Sequence, residues 1–125
     1  MSIITKLKPE INLKHKVVLN INTMLLFALW LETKIDKDIE IKLEQSPNKN
    51  NSFYFYFIHN DYSTGLRISD HDTKLTEGGG GIRNIVIDEY STYNMLYVKV
   101  KETIQALKKK EKHVNLEKLF DKIKH

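Results

Sequence analysis

The chain has 125 residues, of which eighteen are lysine and two are arginine, with no cysteine and a formal net charge of +4. This length is typical of one domain around one hydrophobic core, so we expect residues 1–125 to form a single domain. The lack of cysteine excludes thiol catalysis, disulfides and cysteine-ligated zinc.

The first part of the chain predicts a strand followed by a helix. Residues 10–21 alternate between apolar and polar side chains, which predicts a half-buried strand with His15 on its apolar side. Asn22 or Thr23 can cap a helix that ends near residue 35. This helix is apolar nearly all round, which is typical of a helix in the centre of a core.

Four more strands are predicted along the chain, at residues 37–44, 52–58, 65–70 and 82–88. Residues 59–64 are expected to form the loop of a hairpin. A polar connection then leads through four glycines to the last of these strands.

The C-terminal part predicts helix. Apolar spacing from Ser91 or Thr92 onward indicates an amphipathic helix, although residues 96–101 alternate and leave a strand as the alternative. A separate short helix is expected after Asn115. The predicted fold is therefore α+β: a small antiparallel or mixed sheet of about five strands packed on a central helix, with one or two C-terminal helices.

The positive charge lies in this C-terminal part. Residues 1–100 carry twelve basic and twelve acidic side chains, whereas residues 101–125 carry eight lysines and four acids. Such a segment is typical of a solvated helix face, and it can also contact nucleic acid or an acidic protein surface. Lysine without arginine argues against bidentate recognition of phosphate.

The sequence also predicts a cytosolic protein that does not enter membranes. The first residues, MSIITKLKPEIN, lack the apolar segment of a signal peptide. The longest apolar run, residues 24–31, is too short to cross a bilayer.

The predicted hairpin, residues 52–71, carries the densest set of polar side chains. Successive side chains on a strand point to opposite faces, so Phe53, Phe55 and Phe57 share one face. Leu66 and Ile68 must join them to be buried. The opposite face then holds tyrosine, arginine, serine and histidine, and a simple register places Tyr56 opposite Arg67, Tyr54 opposite Ser69 and Ser52 opposite His71.

This polar face is either an ordinary sheet surface or a recognition surface. Tyrosine and arginine contribute a large share of binding energy where they occur in interfaces. Aromatic rings beside an arginine can also stack on nucleobases. The candidate binding residues are Tyr54, Tyr56, Arg67, Ser69, His71 and Arg83.

The same residues do not indicate catalysis. Ser69, Asp70 and His71 are neighbours on a strand, so they cannot form a triad by themselves. Asp70, His71 and Asp72 are an outside candidate for a divalent metal, but no known ligand spacing supports them. We assign no catalytic residue, no metal site and no cofactor.

The glycine run Gly78, Gly79, Gly80 and Gly81 precedes Arg83. Successive exposed N–H groups can form an anion nest. The run leads into a strand and no GK[ST] follows, so it is not a phosphate-binding loop of the Walker type. It is either a flexible loop or a lid beside His71, where Arg67 and Arg83 would meet a phosphate or a carboxylate.

The string Ser52-Phe-Tyr54 followed by Leu66-Arg-Ile-Ser-Asp-His71 resembles a hairpin signature of small accessory proteins of phages and mobile elements. These include anti-CRISPR proteins that block an RNA-guided DNA nuclease. The resemblance covers about residues 52–112. This chain differs in its glycine run, its N-terminal β-α-β portion and the lack of a basic N-terminal arm, so no functional residue is carried over. The resemblance implies a small phage-borne protein that acts by binding.

Three functional hypotheses follow. The first is a phage- or prophage-encoded inhibitor of a bacterial defence system, which binds a host defence protein, a nucleoprotein or a signal nucleotide in the cytoplasm of the bacterial host cell. The second is a nucleic-acid-binding accessory module that uses the lysine-rich C-terminal segment. The third is a metal-dependent nuclease or hydrolase centred on residues 67–72. Binding is favoured over enzyme activity, no membrane contact is expected, and association of copies of the chain stays open.

Overall fold

The computed structural model describes residues 9–47, 51–71 and 82–124. The fold is α+β and consists of a four-stranded mixed sheet and two helices. In chain order the elements are α1 (Ile21–Glu32), β1 (Glu40–Gln45), β2 (Ser52–His59), β3 (Tyr62–Ser69), β4 (Ile82–Val86) and α2 (Tyr93–Lys124).

The strands lie in the sheet in chain order. β2 is antiparallel to both of its neighbours, β1 and β3, and β4 pairs with β3 in parallel. The turn between β2 and β3 consists of Asn60 and Asp61 only, because His59 pairs directly with Tyr62. Asn60 has a φ of 56°, a left-handed conformation that asparagine tolerates better than most residues.

Both helices pack on the same face of the sheet. This face carries Phe53, Phe55 and Phe57, none of which is exposed to solvent. The ring of Phe27 in α1 meets that of Phe55 edge-on at 5.9 Å, and it lies 5.9 Å from the ring of Tyr93 in α2. The aromatic core therefore joins the sheet and both helices.

Helix α1 begins where the sequence offers a capping box. The side chain of Asn20 accepts a hydrogen bond from the backbone N–H of Thr23, and the Thr23 hydroxyl bonds back to the backbone of Asn20. These bonds satisfy amide groups that have no partner within a first helical turn. The N-cap is thus Asn20, two residues before Asn22, the earlier of the predicted caps, and the helix ends at Glu32.

The predicted first strand, residues 10–21, is wrong, and the sheet has four strands among the described residues, close to the predicted number of about five. Within the described residues before α1, only an isolated bridge between Lys16 and Thr92 has strand-type pairing. The carbonyl groups of Leu13 and His15 instead accept the backbone N–H groups of Asn94 and Tyr93. This segment caps the start of α2, and its predicted core residue His15 is exposed.

Helix α2 also differs from its prediction. Residues 96–101 are helical, so the strand alternative is wrong, and the helix continues through Asn115 without a break. Its buried stripe contains Leu96, Val100, Ile104 and Leu107. One long helix is therefore present where one or two were predicted, and the separate short helix after Asn115 is wrong. Beyond Glu111 the described side chains of α2 are mostly exposed.

Neither helix, within the ranges that the structure describes, combines the length and the apolar character that a membrane span requires.

The buried phenylalanines are expected to determine stability. Replacing Phe55, which is fully buried, by alanine should lower the free energy of unfolding by about 3–5 kcal/mol, because a large cavity remains. The matched control is Phe120→Ala, at a position that is 62% exposed, which should change it by less than about 0.5 kcal/mol. Urea unfolding measures both values; similar losses in the two variants would contradict this description of the core.

Candidate functional site

The polar face of the hairpin has the composition that strand alternation predicts, but a different register. Ser52 pairs with Ser69, Tyr54 with Arg67 and Tyr56 with Gly65. The predicted pairs are therefore wrong by two residues, because the turn has two residues where a longer loop was expected. A shift by an even number leaves every side chain on its predicted face.

We call this surface the tyrosine face; it comprises Ser52, Tyr54 and Tyr56 of β2, Arg67 and Ser69 of β3, and Asn84 of β4. The rings of Tyr54 and Tyr56 are nearly parallel, at 8°, with centroids 6.2 Å apart, and both side chains are partly exposed. Partial burial raises the pKa of Tyr56, and the nearby Glu44 carboxylate adds to the shift. The tyrosine pair is thus an ordered, uncharged ridge on the sheet.

Arg67 lies below this ridge and is only 8% exposed. Its guanidinium donates to the Ser52 hydroxyl at 3.1 Å and to the Asn84 side-chain oxygen at 3.0 Å. Ser52 belongs to β2 and Asn84 to β4, so this one side chain joins three strands. The sequence placed Arg67 on the correct face, but it could not show that the guanidinium is buried among hydrogen-bond acceptors.

His71 follows β3 and extends the same network. A guanidinium nitrogen of Arg67 donates to His71 Nε2 at 3.4 Å, so Nδ1 is the nitrogen that donates to Asp70, at 2.9 Å. Asp70 also accepts from the Asn51 side chain at 2.7 Å. The bonds from His71 and then Asn51 hold the pKa of Asp70 below its usual value.

Ser69 does not have the surroundings of a nucleophile. Its hydroxyl is fully buried and donates to the backbone carbonyl of His71 at 2.8 Å. The imidazole of His71 faces Asp70 and Arg67 instead. The three neighbours Ser69, Asp70 and His71 therefore form a structural turn.

The structure does not bring Arg83 to Arg67. Arg83 of β4 pairs with Leu66, so its side chain lies on the opposite face from Arg67, and it is exposed. The anion site that was to use both arginines is therefore not formed by these strands. Asp72 and the glycines Gly78, Gly79, Gly80 and Gly81 lie outside the described residues. Among the residues that are described, no three histidine or acidic side chains are grouped so as to hold a metal ion.

A second polar cluster lies at the end of the hairpin, on the face of the phenylalanines. We call it the His59 clamp: His59, Asp38 and Glu111. His59 Nε2 is 2.8 Å from an Asp38 oxygen, and its Nδ1 bonds Glu111. Both nitrogens face carboxylates and must donate, so the ring is an imidazolium in this arrangement.

The clamp shifts the ionisation of all three groups. Hydrogen bonds to Glu111 and Asp38 raise the pKa of His59. The bond to His59 lowers the pKa of Asp38, while bonds from Asn60 and then His59 lower that of Glu111. An imidazolium with both nitrogens engaged has no free lone pair and cannot act as a general base. The contacts of His59 instead connect β2 to Glu111 of α2 and to Asp38 before β1.

An open groove of about 550 Å³ adjoins the clamp, and Lys112, Leu116 and Leu119 of α2 are among the residues that line it. Sequence periodicity alone does not predict the clamp, although a signal was present. Glu111 continues the buried stripe of α2 one turn after Leu107, where an acid needs a partner. His59 shares the odd-numbered face of β2 with the phenylalanines.

Comparisons with protein-family models, with curated proteins and with solved structures gave no match to this chain.

The two arginines are expected to differ sharply in their effect on stability. Arg67→Ala removes the bonds to Ser52 and Asn84 and should lower the free energy of unfolding by about 2 kcal/mol. Arg83→Ala, at an exposed position, should change it by less than about 0.5 kcal/mol. Chemical unfolding of both variants tests this difference, and equal values would mean that the Arg67 network contributes nothing to stability.

The His59 clamp predicts a specific pH dependence of stability. Because the pKa of His59 is raised on folding, its contribution is complete below about pH 6.5 and is lost as the pH rises through the folded value. The pKa values of Asp38 and Glu111 are lowered, so their contribution is present above about pH 4.5 and is lost as the pH falls through the folded values.

The Tm difference between wild type and His59→Gln should therefore be largest between about pH 4.5 and 6.5 and shrink at higher pH. His113→Gln, at an exposed histidine on the surface of α2, is the control and should lower the Tm by less than His59→Gln does in this pH range. A His59→Gln difference that grows above neutral pH would contradict the clamp.

Proposed function

We propose that this chain is a small binding protein that inhibits a bacterial defence system, and that the tyrosine face is its contact surface. The observation that carries the proposal is the stacked pair of Tyr54 and Tyr56, partly exposed above the buried Arg67. In the described ranges α1 and α2 contact the sheet from the phenylalanine side, as the Phe27–Phe55 and His59–Glu111 contacts demonstrate. The tyrosine face is therefore directed away from both helices.

The rigidity of this face favours binding. Tyrosine loses little side-chain entropy when it is buried in an interface, and here each ring is already held against the other. Arg67 fixes β2, β3 and β4 beneath the rings through Ser52 and Asn84. A preordered surface of this kind reduces the entropic cost of association.

The charges around the tyrosines favour a protein partner over nucleic acid. Glu40, Lys42 and Glu44 of β1 share this face and are exposed, and the ionised Asp70 lies at its other end. Three carboxylates against one exposed ammonium and the buried guanidinium of Arg67 leave this face with a net negative charge, which would repel a phosphate backbone. They suit a protein surface with basic or mixed charge.

The anti-defence role is supported by the resemblance of the hairpin to phage accessory proteins. Residues 52–112, which carry that resemblance, include β2, β3, β4 and the part of α2 that packs on the sheet. The proposed target is a nucleoprotein effector in the cytoplasm of the bacterial host. Binding of a signal nucleotide between or beside the tyrosine rings is the small-ligand form of the same proposal.

A second candidate function rests on the exposed lysines of α2. Lys109, Lys110, Lys112, Lys118 and Lys122 are all exposed. A nucleic-acid-binding module that used them would bind with a steep dependence on salt concentration. Glu117 and Asp121 lie in the same segment, and Glu117 bonds His113 at 3.0 Å. These carboxylates would repel phosphate, which weakens the second candidate.

The tyrosine face is tested by Tyr54→Ala and Tyr56→Ala, with Tyr90→Ala as the control at a position that is 72% exposed. In bacteria whose RNA-guided nuclease restricts a phage, expression of the wild-type chain should restore plaque formation. Each face variant should weaken effector binding about 30-fold, as expected for a residue that contributes about 2 kcal/mol to an interface. The control should act like wild type.

The alternatives give different results in the same set of proteins. Full activity of both face variants would refute the tyrosine face as the contact surface. A wild-type chain that is inactive against the nuclease, yet shows a thermal shift with one nucleotide that Tyr56→Ala abolishes, would indicate nucleotide sequestration. Binding to DNA or RNA that depends steeply on salt concentration and is unchanged in Tyr54→Ala and Tyr56→Ala would indicate that the lysine-rich helix contacts nucleic acid.

A further inference from the structure

Helix α1 exposes an apolar face on the side away from the sheet. Its inner side is fully buried at Met24, Phe27 and Leu31. Five large apolar side chains in and just before the helix are 41–55% exposed: Val18, Ile21, Leu25, Leu26 and Leu29. The sequence predicts a helix buried on all sides, whereas the described residues of this chain cover only half of it.

We propose that α1 pairs with the α1 helix of a second copy, antiparallel across a two-fold axis. A helix that is apolar all round is stable in water only when it is covered on all sides. A two-fold contact places the same patch on both copies, so one exposed stripe is enough to form it. Ile21, Leu25 and Leu29 recur once per turn and supply such a stripe.

The distribution of charge supports a second copy as the occupant. Residues 17–31 contain no charged side chain, so two copies of α1 can approach without repulsion. Lys16 precedes this stretch and Glu32 follows it, and both are exposed. Antiparallel pairing brings Lys16 of one copy towards Glu32 of the other, which is a complementary arrangement.

The other apolar patch of the chain is less suited to a second copy. Leu116, Leu119 and Phe120 of α2 are 45–62% exposed. Lys112, Lys118 and Lys122 are exposed in the same segment, so two such segments would repel each other. A lipid surface is also a poorer occupant of α1, because helices that lie on membranes carry lysine or arginine beside their apolar face, and α1 carries neither.

The proposed pairing does not depend on the function of the tyrosine face, but it has a consequence for that face. α1 packs on the phenylalanine side of the sheet, so the tyrosine faces of both copies remain directed outwards. A dimer would therefore present two contact surfaces at once. One helix pair is a small interface, so we expect a dissociation constant in the micromolar range.

Sedimentation of the full chain over a concentration series from micromolar to millimolar tests the pairing. The mass should rise from one chain of 14.7 kDa to two. Leu25→Glu should raise the dissociation constant about 30-fold or more, because a carboxylate would be buried in the contact. Leu119→Glu, at a position with similar exposure, should dimerise like wild type.

Crosslinking gives an independent measurement that does not require a charge in α1. The chain has no cysteine, so Leu25→Cys introduces a single thiol near the middle of the stripe. Mild oxidation should convert this variant to a covalent dimer, whereas Leu119→Cys should remain monomeric at the same concentration.

Three results would overturn the proposal. The first is a wild-type mass of one chain across the whole series. The second is a dimer that Leu119→Glu disrupts and Leu25→Glu does not, or equal crosslinking of the two cysteine variants. The third is a monomer that floats with vesicles of neutral and anionic phosphatidyl lipids through α1, which would make a membrane surface the occupant.

Discussion

The two-residue turn at Asn60 and Asp61 is the constraint on which the rest of the structure depends. It sets the pairing of β2 with β3, and with it the side of the sheet on which every hairpin residue lies. A slip by one residue would exchange the buried phenylalanines with Tyr54 and Tyr56. The loss of Phe55 from the core would be prohibitive, so core burial and turn geometry enforce the same register.

The end of this hairpin also determines which part of α2 is attached to the sheet. His59 lies on the phenylalanine face at the last position of β2, where Glu111 reaches it from the helix. Lys108 of α2, which also lines the groove beside the His59 clamp, bonds Asp36 in the connection between α1 and β1. Up to Glu111 the helix is fixed by the core and by these ion pairs, and beyond it the described side chains are mostly exposed.

The parts of the fold that the sequence predicted well are those whose signal is local. The alternation of β2 and the apolar spacing of the two helices depend on neighbours within one or two turns. The alternation of residues 10–21 led to a wrong strand prediction, because alternation indicates which side chains are buried and not which groups the backbone bonds. Leu13 is partly buried as predicted, but its carbonyl group caps α2. The depth of Arg67 and the His59 clamp depend on contacts between distant residues, such as Asn84 and Glu111, which periodicity does not contain.

The two faces of the sheet support different kinds of contact. On the phenylalanine side the chain adds α1, whose outer stripe is apolar and exposed. On the other side it leaves partly exposed tyrosines among carboxylates, a mixture that would be poor for self-association because like charges would meet. Self-pairing through α1 and recognition through the tyrosines would therefore use different chemistry, and neither would block the other. A dimer formed through α1 would bind a target with two sites more tightly than a single copy does, because both tyrosine faces would contact the target at once.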